Sequence, residues 1–83
     1  MNVYMKKLKE EFPYLYFVKN KETNEGNIVL VYDSQMKTKT FRIRLMNIDE
    51  KKFEEKIYNR LKKDVIKMCK YLSIKGVKVG RNN

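Results

Sequence analysis

Lys56, Arg60, Lys63, Lys67 and Lys70 recur at intervals of three or four residues. That interval returns side chains to one side of an α-helix, so the five cations form a stripe, which Lys52 and Asn59 extend. Lys and Arg neutralise phosphates and displace condensed counterions, which gives an affinity for nucleic acid that falls with salt. From Lys56 onward nine Lys or Arg (56, 60, 62, 63, 67, 70, 75, 78 and 81) stand against one acid, Asp64. A face that serves only solubility usually mixes both signs, so the imbalance favours a polyanion over plain solvation.

Two further cations, Arg42 and Arg44, lie two residues apart in an alternating stretch. On a strand they project side by side, and a guanidinium grips phosphate or guanine through two parallel hydrogen bonds. Their plainer role is to protect a sheet edge from aggregation. Tyr14 and Tyr16 are candidates for stacking on a base, with packing in a small core as the ordinary alternative. The candidate nucleic-acid-binding set is therefore Lys52, Lys56, Arg60, Lys63, Lys67 and Lys70 on a helix, with Arg42 and Arg44 on a strand.

Catalytic chemistry has little to work with. The chain has no His and one Cys, which excludes Ser-His-Asp and Cys-His catalysis and most zinc or iron–sulfur sites. Gly76-Val77-Lys78-Val79-Gly80 has too few residues between its glycines for a phosphate loop, and no helix follows. Glu54-Glu55-Lys56 has the Glu-x-Lys spacing of a magnesium-dependent nuclease, but it lies in a helix where such a site normally uses a strand. Asp33, at a strand end, reads as the start of a turn and not as a second ligand. A non-catalytic protein without cofactor or metal is expected.

The cationic stripe needs a helix to carry it, and residues 49–75 hold no Gly or Pro. The pattern predicts one helix there, roughly 39 Å long at about 1.5 Å per residue. Asp49 is its expected cap, Ile48 and Phe53 its hydrophobic staple, and Gly76 its stop. Phe53, Ile57, Leu61, Val65, Met68 and Leu72 fall opposite the cations, flanked by Tyr58 and Cys69, so this face must be buried against a partner surface.

Upstream, Tyr4, Met5, Leu8 and Phe12 recur at helical spacing, and Pro13 ends that helix. Residues 14–19 read as a strand with Tyr14, Tyr16 and Val18 on one side and Leu15 and Phe17 on the other. Residues 20–27 read as a turn, and 28–33 as a second strand, apolar on both faces. In residues 38–46, Phe41, Ile43 and Leu45 alternate with Thr40, Arg42, Arg44 and Met46. Closely spaced strands default to a meander. The expected fold is thus α+β: a short N-terminal helix, a three-stranded antiparallel meander and a long C-terminal helix packed on one sheet face. Residues 1–76 would form one domain, followed by a loose basic tail, 77–83. With the helix on the sheet's inner side, the basic helix face and the Arg42–Arg44 face are expected to point in opposite directions.

The order helix, three strands, helix resembles that of double-stranded-RNA-binding domains. Their Gly-Pro-x-His loop and Lys-Lys-x-Ala-Lys helix start are missing, since the corresponding helix begins Asp49-Glu50-Lys51-Lys52. The strands and following helix are similar in shape to small sheet modules with which some integrases enter the DNA major groove.

Eighty-three residues leave room for one small domain with a formal charge of +10. The charge is concentrated: residues 38–83 carry fourteen Lys or Arg and five acids, whereas residues 1–37 carry six Lys and five acids. Such a gradient marks a surface that meets an anion. A single cysteine fits a reducing cytoplasm, no run is apolar enough to span a membrane, and no secretory leader is expected. Two readings follow. The first is a small cytoplasmic nucleic-acid-binding accessory or regulatory factor, with DNA favoured over RNA and Lys, Asn and Ile usage pointing to a low-GC bacterium or its phage. The second is an inhibitor encoded by a phage or mobile element, which docks on a host protein or nucleoprotein complex such as a nuclease, defence system or polymerase. Either would act without a membrane, as monomer or dimer.

Overall fold

A computed structural model describes residues 2–77 and 79. Helix α1 (Val3–Glu11) is followed by strands β1 (Leu15–Lys19), β2 (Glu25–Asp33) and β3 (Thr40–Asp49), a 3-10 turn (Glu50–Lys52) and helix α2 (Glu55–Ile74). The strands form an antiparallel sheet in the order β1-β2-β3. This is the expected α-β-β-β-α arrangement. The core lies between one face of the sheet and the two helices: Leu15, Ile28 and Leu30 from the strands meet Met5 and Leu8 of α1 and Tyr58, Leu61, Val65 and Leu72 of α2. Leu30, Leu61 and Val65 have no exposed surface.

Asn2 shows how a capping residue also sets tertiary structure. Its side-chain oxygen accepts from the Tyr4 and Met5 amides, at 2.8 and 3.4 Å, and relieves the unpaired donors of the first turn of α1. Its amide nitrogen donates to the carbonyls of Glu50 and Phe53, at 3.1 and 2.8 Å. One side chain therefore starts α1 and pins it to the turn leading into α2.

Asp49 does not cap the long helix. It accepts from the Lys51 amide at 2.9 Å and caps the 3-10 turn, while Glu54, without a side-chain bond, precedes α2. The physical reason is the ladder: Ile48 pairs with Gly26 and Asp49 with Glu25, and the Glu50 amide donates to the Asn24 carbonyl at 3.0 Å. The chain must then turn Phe53 inward, where it is 1% exposed, before a helix can begin. The helix is 20 residues long.

A β-bulge changes the faces of β3. Met46 pairs with Ile28 and Arg44 with Val29, leaving Leu45 without a partner. An extra residue inverts the alternation beyond it. Met46, expected beside the arginines, packs against the core together with Ile43, Leu45 and Ile48.

At Gly26 the Phe17 ring covers the backbone, and a Cβ would meet the Val18 carbonyl at 2.7 Å. Helix α2 stops at Gly76, as the sequence predicts. Its φ is +82°, its amide donates to Ser73 at 3.0 Å, and the Val77 amide donates to Leu72 at 2.8 Å, the paired bonds of a Schellman motif. The β2–β3 loop helps to hold this end, because the Gln35 side-chain amide donates to the Lys75 carbonyl at 3.0 Å. The expected loose basic tail lies mostly outside the described residues; Val77 and Val79, which are described, pack against the core.

Candidate nucleic-acid interface

Because Leu61, Val65 and Leu72 are drawn into the core, the opposite side of α2 must face water. Lys56, Arg60, Lys63, Lys67 and Lys70 are all exposed. At about 100° per residue they occupy an arc of about 80°, and from Lys56 to Lys70 they span roughly 21 Å of helix. Lys52 is exposed too, but it stands on the 3-10 turn and not on the helix. Among the described residues only two ion pairs form, Lys19–Glu50 at 3.7 Å and Lys62–Glu11 at 2.7 Å. None of the eight candidate cations therefore has a carboxylate within the 4.0 Å of an ion pair among the described residues.

Arg42 and Arg44 lie on the sheet face that neither helix covers, opposite Val31 and Val29 of β2. The expectation that this pair and the helix stripe point wholly apart needs correction at Arg44. Helix α2 packs beside β3, an edge strand, and Arg44 and Leu45 line an open groove of about 530 Å³ with Asp64, Lys67, Met68 and Tyr71. Arg44 and Lys67 thus share one surface, and Arg42 stays on the sheet face. Spacing along the chain cannot reveal this groove, since it depends on how α2 seats against β3. The sequence signals that remain are Asp64, the lone acid of the stretch, and Tyr71, one helical turn beyond Lys67.

The two tyrosines offered for stacking separate. Tyr14 is not on the open sheet face. It precedes β1 and shares a 3.2 Å hydrogen bond with the Cys69 thiol on α2. Burial, then the Cys69 bond, push its phenol well above the usual value. Tyr16 is on the open face and 51% exposed, but the Lys9 ammonium lies 3.4 Å from its ring centroid. That ammonium also donates to the carbonyls of Pro13 and Leu15, the latter at 2.7 Å, and so caps the free edge of β1. The rest of the outer face is aliphatic or polar: Val18, Val29, Val31 and the hydrogen-bonded pair Asn27–Asn47. A sheet platform for successive bases needs several aromatics, and this face offers one.

Among the described residues no group of three Cys, Asp or Glu is placed to hold a metal ion, and no helix is long and apolar enough to cross a membrane. Comparison with protein-family models, with curated proteins and with solved structures found no match to this chain.

Proposed function

We propose that this protein binds nucleic acid through the outer face of α2, as a non-catalytic accessory or regulatory factor, with duplex DNA the favoured ligand. The observation that carries the reading is the set of five exposed cations on one arc of a helix, none with a carboxylate partner among the described residues. Four of the five are Lys, a compact charge suited to phosphate rather than to bidentate reading of bases. Binding is therefore expected to depend weakly on sequence. The scarcity of exposed aromatics on the sheet argues against a single strand laid across it. A single unpaired cysteine is in keeping with work in the cytoplasm.

The test is a titration of duplex DNA at several salt concentrations. Five phosphate contacts give a log–log slope of about −4 to −5, at about 0.9 per contact. Replacing Lys56, Arg60, Lys63 and Lys67 together by Glu abolishes binding while the circular dichroism spectrum is retained. A wild-type protein that ignores polynucleotide at low salt overturns the reading.

The uncovered sheet face favours one alternative. Tyr16 and Val18 on β1, 51% and 57% exposed, share that face with Arg42 on β3, two strands away across β2. A face that is apolar at one edge and cationic at the other suits an acidic protein surface. An inhibitor of a host protein or nucleoprotein complex would use that face, would be unaffected by the four-residue reversal on α2, and would lose its partner on Val18→Glu.

A further inference from the structure

The groove between β3 and α2 differs in chemistry from the stripe it adjoins. Its cations, Arg44 and Lys67, are joined by apolar Leu45 and Met68, by Tyr71, and by Asp64. Tyr71 is 55% exposed, a large aromatic left in water beside a cationic surface. The Lys75 ammonium stands 5.6 Å from its ring centroid, so the ring itself lies in positive potential. Asp64 is exposed and has no ion-pair partner among the described residues. A carboxylate in this place repels phosphate. It is, however, an acceptor for the ring N–H and amino donors that an unpaired base presents.

We propose that this groove seats one unpaired nucleobase of the bound nucleic acid. Tyr71 stacks on the base, Leu45 and Met68 form the apolar bed, Asp64 accepts from the base's Watson–Crick edge, and Arg44 and Lys67 hold the flanking phosphates. Every base has a π-face, so stacking of this kind tolerates any sequence. Lys67 belongs both to the groove and to the stripe, so nucleic acid held along α2 passes directly beside the groove, where a duplex end or a junction with single strand can supply the unpaired base. The proposal rests on nucleic-acid binding by α2 and adds to it a preference for an unpaired base.

The test compares four probes with the intact protein: a blunt duplex, the same duplex with a short single-stranded overhang, that overhang built from abasic nucleotides, and the single strand alone. The abasic overhang keeps every phosphate and removes only the bases. The normal overhang is expected to bind roughly ten-fold more tightly than the abasic one, the scale of a single base–aromatic stack. Tyr71→Ala lowers affinity for the normal overhang to that of the wild type for the abasic one, and Tyr71→Phe restores it, which a loss of folding would not allow. Asp64→Asn narrows the gap from the other side, by raising affinity for the abasic probe. The single strand assigns the source of the base: the groove takes it from a duplex end if the overhang duplex binds more tightly, and from any single strand if the two bind alike. Equal binding of normal and abasic overhangs, with blunt duplex still bound, overturns the base seat and leaves the α2 reading standing. Failure of all four probes removes that reading itself.

Discussion

The two flanks of α2 carry the same residue type in opposite circumstances. On the flank facing α1, Lys62 lies 2.7 Å from Glu11, whose other oxygen accepts from the Tyr58 hydroxyl. Tyr58 is 3% exposed, and the ammonium groups of Lys7 and Lys62 lie 5.2 and 5.9 Å from its ring centroid. On the outer face, Lys63 and its companions meet water. Charge at the seam closes a network that ties α1 to α2. Among the described residues, charge on the outer face makes no such bond, so its removal is expected to cost the fold little.

The largest expected effect tests that division directly. Reversing Lys56, Arg60, Lys63 and Lys67 to Glu lowers affinity for duplex DNA by more than about 1,000-fold at low salt, since several phosphate contacts are lost and repulsions replace them. The urea midpoint stays near that of the wild type, because exposed charges contribute little to stability. A large fall in the midpoint would show that the outer face is structural and break the comparison.

Glu11→Ala should do the reverse. It strands the buried Tyr58 hydroxyl without its acceptor and frees Lys62, at a cost of about 1–3 kcal/mol. The midpoint of urea unfolding falls with an unchanged slope, and DNA affinity is retained under native conditions. Gly76→Ala lies between the two. A side chain at a φ of +82° costs about 1–2 kcal/mol, and its Cβ collides with the Gln35 amide. Thermal unfolding reads that loss. Affinity falls less than two-fold if the stripe ends at Lys70, and further if the last turn carrying Tyr71 contributes.

How much of this was legible in the sequence depends on the reach of the interactions involved. Helical period over 20 residues is a local property, so the split between Leu61, Val65 and Leu72 on one side and Lys56, Lys63 and Lys70 on the other can be read from spacing. The stop at Gly76 is equally local, because only its own φ and the preceding turn decide it. Asp49 misleads because a carboxylate caps a 3-10 turn with the same hydrogen bond it would give an α-helix. Only the pairing of Ile48 with Gly26 shows that the strand has not yet ended. The bulge at Leu45 is hidden for a related reason: Phe41 to Met46 alternate cleanly, and the break lies in their register against β2. Glu11 and Lys62 are 51 positions apart, and Arg44 and Lys67 meet only because α2 seats at the β3 edge. The candidate cations were legible as exposed residues. Which of them share a surface was not.

The finest test uses adjacent residues. Lys62→Ala and Lys63→Ala remove the same charge from the same helix, so a general fall in net charge affects both alike. Lys62→Ala breaks the Glu11 pair, in which the lysine side chain is 41% exposed. Solvent screening limits that loss to about 0.5 kcal/mol, and Glu11 still accepts from Tyr58. Lys63→Ala costs almost no stability, but it removes one phosphate contact and makes the log–log salt slope shallower by about 0.9, to be read across at least four salt concentrations. Lys62→Ala leaves that slope at the wild-type value. If the two variants shift the slope equally, affinity follows the summed field of a +10 chain, and α2 has no privileged face. If only Lys63→Ala shifts it, the polyanion lies along the outer side of the helix, one residue away from the seam that holds the fold.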